Sequence, residues 1–320
     1  MSEDKTMQNK KNIIVSGSIV YDRIMNFPGF FKEHILPEKI HILNVSFVTN
    51  ELKESFGGTA GNIAYNLSLL KKSPVVLGIV GDDFVKYEKR FKKLRINTSQ
   101  IKKVKGRLTA SAHIVTDQDD NQITSFCPGP ADKKYCQIIK KNKNIELAIV
   151  APDAKELMIE YIRIYKQLKI SYIFDPGQQI TTLTARDLKK AITGSKVLIS
   201  NDYENQVILN KLKLKRKDLE KMTEILIITK GALGSEIYYR NKKIFIPSAK
   251  PKAVLDPTGA GDAYRAGLIK GLTENWSLEK TGRLAGLVAV HAVEKYGTQE
   301  HKFSWRSLQT RYKQNFGETL

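Results

Sequence analysis

The residues best suited to chemistry lie in "DPTGAGDAYRAGLIKGL", from Asp256 to Leu272. Gly259, Ala260 and Gly261 run directly into Asp262, and the stretch from there to Leu272 reads as a helix. At the first turn of such a helix the backbone N–H groups lack an intrahelical partner. Glycine lets the backbone curl and approach a ligand closely, and the helix dipole favours negative charge there. The stretch therefore predicts an anion hole. A carboxylate beside an anion hole suits phosphoryl transfer to an alcohol: it accepts the hydroxyl proton while the N–H groups hold the transferring phosphoryl. The competing explanation is structural, with Asp262 stabilising a helix start and the glycines forming a tight turn.

Other chemistries fit poorly. No G-x-x-x-x-G-K-[ST] occurs, and Tyr264 stands where a dinucleotide fingerprint needs its third glycine. The five histidines are scattered, and Cys127 and Cys136 have no partner pair, so zinc and thiol catalysis are not expected. Two cysteines among 320 residues imply a reducing compartment. The polar start "MSEDKTMQNKKN" carries no apolar signal segment, and no apolar run is long enough to cross a membrane, so a cytoplasmic location is expected. The net charge of +20 would suit nucleic acid, but lysines are spread along the chain without a nucleic-acid-binding motif. The field is read instead as a lysine-rich surface that also attracts anionic small substrates.

Something must hold these groups in place. Short β-branched runs recur at "NIIVSG" (Asn12), "VVLGIVGD" (Val75), "LAIVAPD" (Leu147), "SYIFDPG" (Ser171), "KVLISND" (Lys196) and "EILIITKG" (Glu224). Most are nearly all apolar, as strands buried on both faces are. Amphipathic segments separate several of them, such as Ile63, Leu67 and Leu70 at helical spacing. The expectation is an α/β fold, doubly wound, with a mainly parallel central sheet flanked by helices. Gly17, Gly81 and Asp82, Pro152 and Asp153, Asp175, Asn201 and Asp202, and Thr229 with Lys230 come directly after the runs. Ligands in such folds bind outside the carboxyl ends of the strands. Residues of about 20–55 and 107–128 break the rhythm with strand-like alternation and turn signals. They predict a small antiparallel β lid, free to close over the site, to dimerise, or both. Residues 1–11 are expected to be disordered, and Trp305, Leu308 and Tyr312 predict a last helix.

"DPTGAGDAYRAGLI" resembles the C-terminal signature of the ribokinase/PfkB family of carbohydrate and nucleoside kinases. "SGSIVYD", "GGTAGNIAYNLSLL", "NDYE" and "TKGALG" resemble the family's other marks in the correct order, over about residues 12–300. The resemblance implies one ribokinase-like kinase domain over residues 1–320, using ATP and Mg²⁺. It implies Asp262 as base and Gly259, Ala260 and Gly261 as anion hole. Asp22, Gly57, Gly58 and Asn62 would contact the acceptor, with the Asp22 carboxylate taking a vicinal diol. Asn201 and Glu204 would support the ATP phosphates and Mg²⁺, the metal reached through water, and Thr229, Gly231 and Gly234 would form the nucleotide turn. Asp256 and Thr258 fall where family members bind a monovalent cation such as K⁺, although "DP" replaces the common "DT". Lys230 reads as solvent-facing.

The acceptor is read from finer motif detail. "GGTAGNIAYN" lacks the lysine of ribose kinases and looks closer to adenosine-kinase-like members, and the first lid segment looks like bacterial nucleoside kinases. The reading is 5′-phosphorylation of adenosine or inosine. A sugar or sugar-phosphate kinase, a non-catalytic binder on the same fold and a nucleic-acid binder are the alternatives. Phe27, Phe30, Phe31, Ile42, Leu43 and Phe47 offer an apolar wall for a purine or, more simply, the lid's own core.

Overall fold

The computed structural model describes residues 12–119, 121–136 and 144–320. The expectation for residues 1–11 lies outside them. The strands are β1 (Asn12–Ser16), β2 (Val20–Asn26), β3 (Leu52–Gly57), β4 (Val75–Val80), β5 (Asn97–Lys103), β6 (Ala110–Thr116), β7 (Gln122–Cys127), β8 (Ile145–Val150), β9 (Tyr172–Phe174), β10 (Ser195–Asn201), β11 (Thr223–Thr229), β12 (Ser235–Tyr239) and β13 (Lys242–Ile246). The helices are α1 (Thr59–Leu69), α2 (Val85–Lys93), α3 (Lys155–Gln167), α4 (Ala185–Ile192), α5 (Asp202–Leu212), α6 (Arg216–Met222), α7 (Ala260–Thr273), α8 (Leu278–Val293) and α9 (Trp305–Phe316).

The six apolar runs become six neighbouring strands of one sheet, ordered β13-β12-β11-β10-β9-β8-β1-β4-β5. From β11 to β5 every pairing is parallel, and β12 and β13 close the sheet antiparallel. Successive side chains face opposite ways. Ile13, Val15, Val76, Ile149, Val197 and Ile225 pack with α1, α2, α7, α8 and α9. Ile14, Leu77, Ala148, Phe174, Leu198 and Leu226 pack on the other face with α3, α4, α5 and α6. Both faces are covered, which is why these strands read as continuous apolar runs; every residue of β4 is buried. Parallel pairing also puts the polar groups after β1, β4, β8, β9, β10 and β11 along one edge.

A second sheet has the order β3-β2-β6-β7. Its outer pairings are antiparallel, and its central pairing, β2 with β6, is parallel. The alternation read across residues 20–55 yields strands only at its two ends. Between them the chain makes two 3-10 turns, Phe31–Glu33 and Pro37–Ile42. Pro28, Gly29 and Pro37 break the ladder, since proline lacks the N–H a strand donates. Phe27, Phe31 and Phe47 pack on one another, with centroids 4.9 Å (Phe27–Phe47) and 5.0 Å (Phe31–Phe47) apart. The Asp117 carboxylate accepts the Phe31 N–H at 3.0 Å and ties this core to the β6–β7 turn. Ile42 and Leu43 are exposed. These aromatics form a small core of their own beside the second sheet.

Candidate active site

Asp262 sits on the first turn of α7. The turn before it requires glycine at 259, whose φ is +79° and whose missing Cβ would lie 3.0 Å from the Thr298 side chain. The helix start matches the expectation, with one correction. The Ala260 N–H donates to the Pro257 carbonyl at 3.2 Å, because the chain closes a turn there before the helix begins. The N–H groups of Gly259 and Gly261 have no protein acceptor among the described residues. Of the three N–H groups expected to form an anion hole, two are thus without a protein acceptor among the described residues.

What holds the Asp262 carboxylate was not legible from the motif. The Asn62 amide, on the first turn of α1, donates to Asp262 Oδ2 at 2.8 Å. The Gln299 amide donates to Asn62 Oδ1 (3.0 Å) and to the Tyr87 hydroxyl (2.6 Å), and Tyr87 donates to the Gly57 carbonyl (2.8 Å). Gly57 in turn touches Asp22: a Cβ there would lie 2.1 Å from Asp22 Oδ2. One hydrogen-bonded chain thus runs from the candidate base to the residue packed on the candidate sugar-binding carboxylate. Asn62 and Gln299 are buried and Asp262 is half-buried. Burial raises the Asp262 carboxyl to about 7, against the Asn62 hydrogen bond and the Arg265 charge, which pull it down. Asp22, on β2 opposite Ser55, is raised to about 6 by burial and by the charge of Asp256. Gly58, the residue before α1, completes the expected acceptor-side set.

Beneath Asp262 lies a buried ion pair. Arg265 donates to both Asp175 oxygens, at 2.5 and 2.8 Å, and to the Gly261 carbonyl at 3.0 Å. It fastens the first turn of α7 to the end of β9. The readable signal was an arginine three residues beyond Asp262, in the mostly apolar first half of the helix.

Asn201 and Glu204 form a reciprocal cap at the start of α5: the Glu204 N–H donates to Asn201 Oδ1 (2.7 Å) and the Asn201 N–H to Glu204 Oε2 (2.8 Å). Burial raises the Glu204 carboxyl. Glu204 Oε1 could reach a metal or its waters. No group of three or more His, Cys, Asp or Glu gathers as a metal cage among the described residues. Mg²⁺ commonly binds through one or two carboxylates, waters and substrate phosphates, so Glu204 alone fits that style. Thr229 ends β11, its hydroxyl 3.5 Å from the Ser200 carbonyl, and Gly231 and Gly234 flank a short turn with φ of +56° and +90°. Lys230 is not free in solvent: it pairs with Glu236 at 2.6 Å. Asp256 accepts the Thr258 N–H (2.8 Å) and the Gly297 N–H (2.9 Å), which pins the loop ahead of α7. Cys127 and Cys136 are free thiols.

A cavity of about 290 Å³ opens between the lid and the strand ends, lined by Ile19, Ile79, Phe126, Pro152 and Asp153 among others. Two of its wall residues, Ser18 and Pro152, are hydrogen-bonded to the start of α1. The Thr59 hydroxyl donates to the Pro152 carbonyl at 2.8 Å, and the Thr59 N–H to Ser18 Oγ at 3.1 Å. The helix that Thr59 begins carries Asn62 on its next positions.

A family model for "pfkB family carbohydrate kinase" matches residues 10–305. The chain belongs to this family. A nucleoside kinase of Methanocaldococcus jannaschii is 35% identical over 271 residues, covering 84% of this chain and 89% of that one. A solved structure of Burkholderia thailandensis nucleoside kinase in complex with inosine has a TM-score of 0.85 at 33% identity, covering 96% and 99% of the two chains. A ribokinase of Lactococcus lactis is 27% identical over 252 residues, 76% of this chain and 81% of that protein. The chain is therefore a kinase with the ribokinase-like α/β fold. The sequence motifs point to Asp262, Asp22 and the turn at Gly231 and Gly234, and the structure describes where each stands. They do not single out Gln299 and Tyr87, which lie in no motif, or Arg265, which lies inside the signature but is given no role by it. Among the described residues, no helix is long and apolar enough to cross a membrane.

Proposed function

We propose that the chain transfers the γ-phosphoryl group of ATP to the 5′-hydroxyl of a purine nucleoside. The observation that carries this reading is the pairing of two features. One is a carboxylate held by Asn62 beside free N–H groups at a helix start; the other is a cavity under the lid whose wall is hydrogen-bonded to the start of the helix that carries Asn62. The Asp262 carboxylate takes the proton of the acceptor hydroxyl. The hydroxyl oxygen forms a bond to the γ-phosphorus, the bond from phosphorus to the β–γ bridging oxygen breaks, and ADP leaves. The N–H groups of Gly259 and Gly261 steady the equatorial oxygens in flight. Asp22 accepts from the ribose diol. Asn201 and Glu204, with Thr229 and the turn at Gly231 and Gly234, hold the nucleotide side. Mg²⁺, when bound, neutralises phosphate charge. Asp256 and Thr258 are assigned no step; replacing Na⁺ by K⁺ at fixed ionic strength tests the cation role.

Two features separate the acceptors. Ribose or fructose would leave the cavity under the lid empty. A sugar phosphate needs cations, yet among the described residues the cavity wall carries the Asp153 carboxyl and no lysine or arginine. Within this proposal the lid closes on the acceptor, as part of one kinase unit, and β7, exposed along its length, is the edge through which two lids would pair. The deciding experiment is ADP release and product mass with ATP, Mg²⁺ and a panel of adenosine, inosine, guanosine, ribose, fructose and fructose 6-phosphate. Turnover of sugars in preference to every nucleoside would overturn the reading.

A further inference from the structure

We infer that Asp153 reads the hydrogen-bonding edge of the base in the cavity under the lid, and so ranks adenosine against guanosine. The inference rests on the nucleoside reading above. The cavity is built to receive a flat apolar body: Ile19, Ile79, Phe126, Pro128, Pro152 and Leu157 supply most of its wall. Its polar side-chain groups are few, and Asp153 is the one charged residue among the described lining residues. Apolar walls with a small number of placed polar groups are how ligand pockets obtain orientation and specificity. Asp153 Oδ1 accepts the N–H of Ala154 at 2.8 Å, which fixes the carboxyl at the end of β8.

Among the described residues, the titratable groups facing Asp153 are Cys136 and Tyr161. Burial pushes the Cys136 thiol up to about 11 and the Tyr161 phenol well above its ordinary value, so both are neutral near pH 7. Behind them, Glu160 and Arg163 pair with each other. The other described lining residues, from the turn after β1 and from β4, β6, β7, α3 and the Gln178–Gln179 turn, add no further titratable group. Burial raises Asp153 itself to about 7.

Both protonation states are therefore populated near neutrality, and they present different edges. A neutral carboxyl donates one hydrogen bond and accepts another. It can donate to N1 of adenine while accepting from the N6 amino group, and it accommodates guanine through N1–H and O6. A carboxylate only accepts. It takes the N1–H and N2 amino hydrogens of guanine as a pair, but it sets its lone pairs against N1 of adenine. Rising pH must therefore shift preference from adenosine towards guanosine, with inosine between them.

The test is the ratio of kcat/KM for guanosine to that for adenosine, measured with ATP and Mg²⁺ at about pH 6 and about pH 8.5, either side of the Asp153 titration. The ionisations of Asp262 and Asp22 are shared by all nucleosides and cancel in the ratio. The ratio is expected to rise with pH by roughly fivefold to a hundredfold, the range for one paired base contact. In Asp153→Asn the amide is a fixed donor and acceptor, so the ratio should be low and independent of pH. Turnover of nucleosides with a pH-independent ratio in the unmodified enzyme, or an Asp153→Asn ratio that tracks it, overturns the inference while leaving the nucleoside reading intact. No turnover of any nucleoside overturns both.

Discussion

Asn62→Leu should move the pH dependence of catalysis instead of merely lowering the rate. The Asn62 amide donates to the Asp262 carboxylate at 2.8 Å and stabilises its charged form more than its neutral form. A hydrogen bond to a charged group contributes about 1.5–3 kcal/mol, and about 1.4 kcal/mol is one pH unit. Removing it should raise the Asp262 carboxyl from about 7 by roughly one to two units. The sign comes from the role: a base must be deprotonated, so activity is present above its pKa and lost below it. The ratio of variant to unmodified kcat/KM should then be roughly eightfold to eightyfold lower at about pH 6.5 than at about pH 9.5. Leucine keeps most of the volume, and Gln299 retains the Tyr87 hydroxyl as a partner. The assay is ADP release under subsaturating nucleoside, with far-UV circular dichroism to confirm the fold at each pH. Loss of an acceptor contact alone would lower kcat/KM by one factor at every pH. A pH-independent ratio would falsify the electrostatic role of Asn62.

The same geometry sets further outcomes. Asp262→Asn should cost ~10²–10⁴-fold in kcat with the fold intact; near-normal turnover would remove Asp262 from the mechanism. Asp22→Ala should weaken nucleoside use by about 1.5–3 kcal/mol and leave ATP binding unchanged, and equal losses towards both substrates would place Asp22 elsewhere. Arg265→Met leaves Asp175 buried and unpaired, so chemical denaturation should show a loss of about 3–5 kcal/mol. Because the Arg265 charge lowers the Asp262 carboxyl and the Asp175 charge raises it, Arg265→Met should move the acid limb of the pH profile up and Asp175→Asn down; shifts in the same direction contradict the coupling. Hydrogen exchange in β2, β3, β6 and β7 should slow at saturating nucleoside if the lid closes, whereas unchanged exchange marks the second sheet as a fixed structure.

Local physics made much of the molecule legible from its residues. The six core strands of the large sheet announce themselves because burial on both faces demands continuous apolar runs. The start of α7 is written in seven consecutive residues, where glycines and a carboxylate meet a helix dipole. The reciprocal cap of Asn201 and Glu204 spans four residues and needs nothing else. Other features have no local cause. The hairpin of β12 and β13 turns on Arg240 and Asn241, both at positive φ, where no glycine signals it. Residues 27–51 alternate like a strand yet fold as a packed turn, because Phe27, Phe31 and Phe47 find one another. The decisive contacts are longer still: Asn62 meets Asp262 across 200 positions, and Gln299 meets Asn62 across 237. An amide has the same local preferences wherever it stands. Only packing α1 and α7 side by side on one sheet face turns Asn62 into the group that tunes a carboxylate.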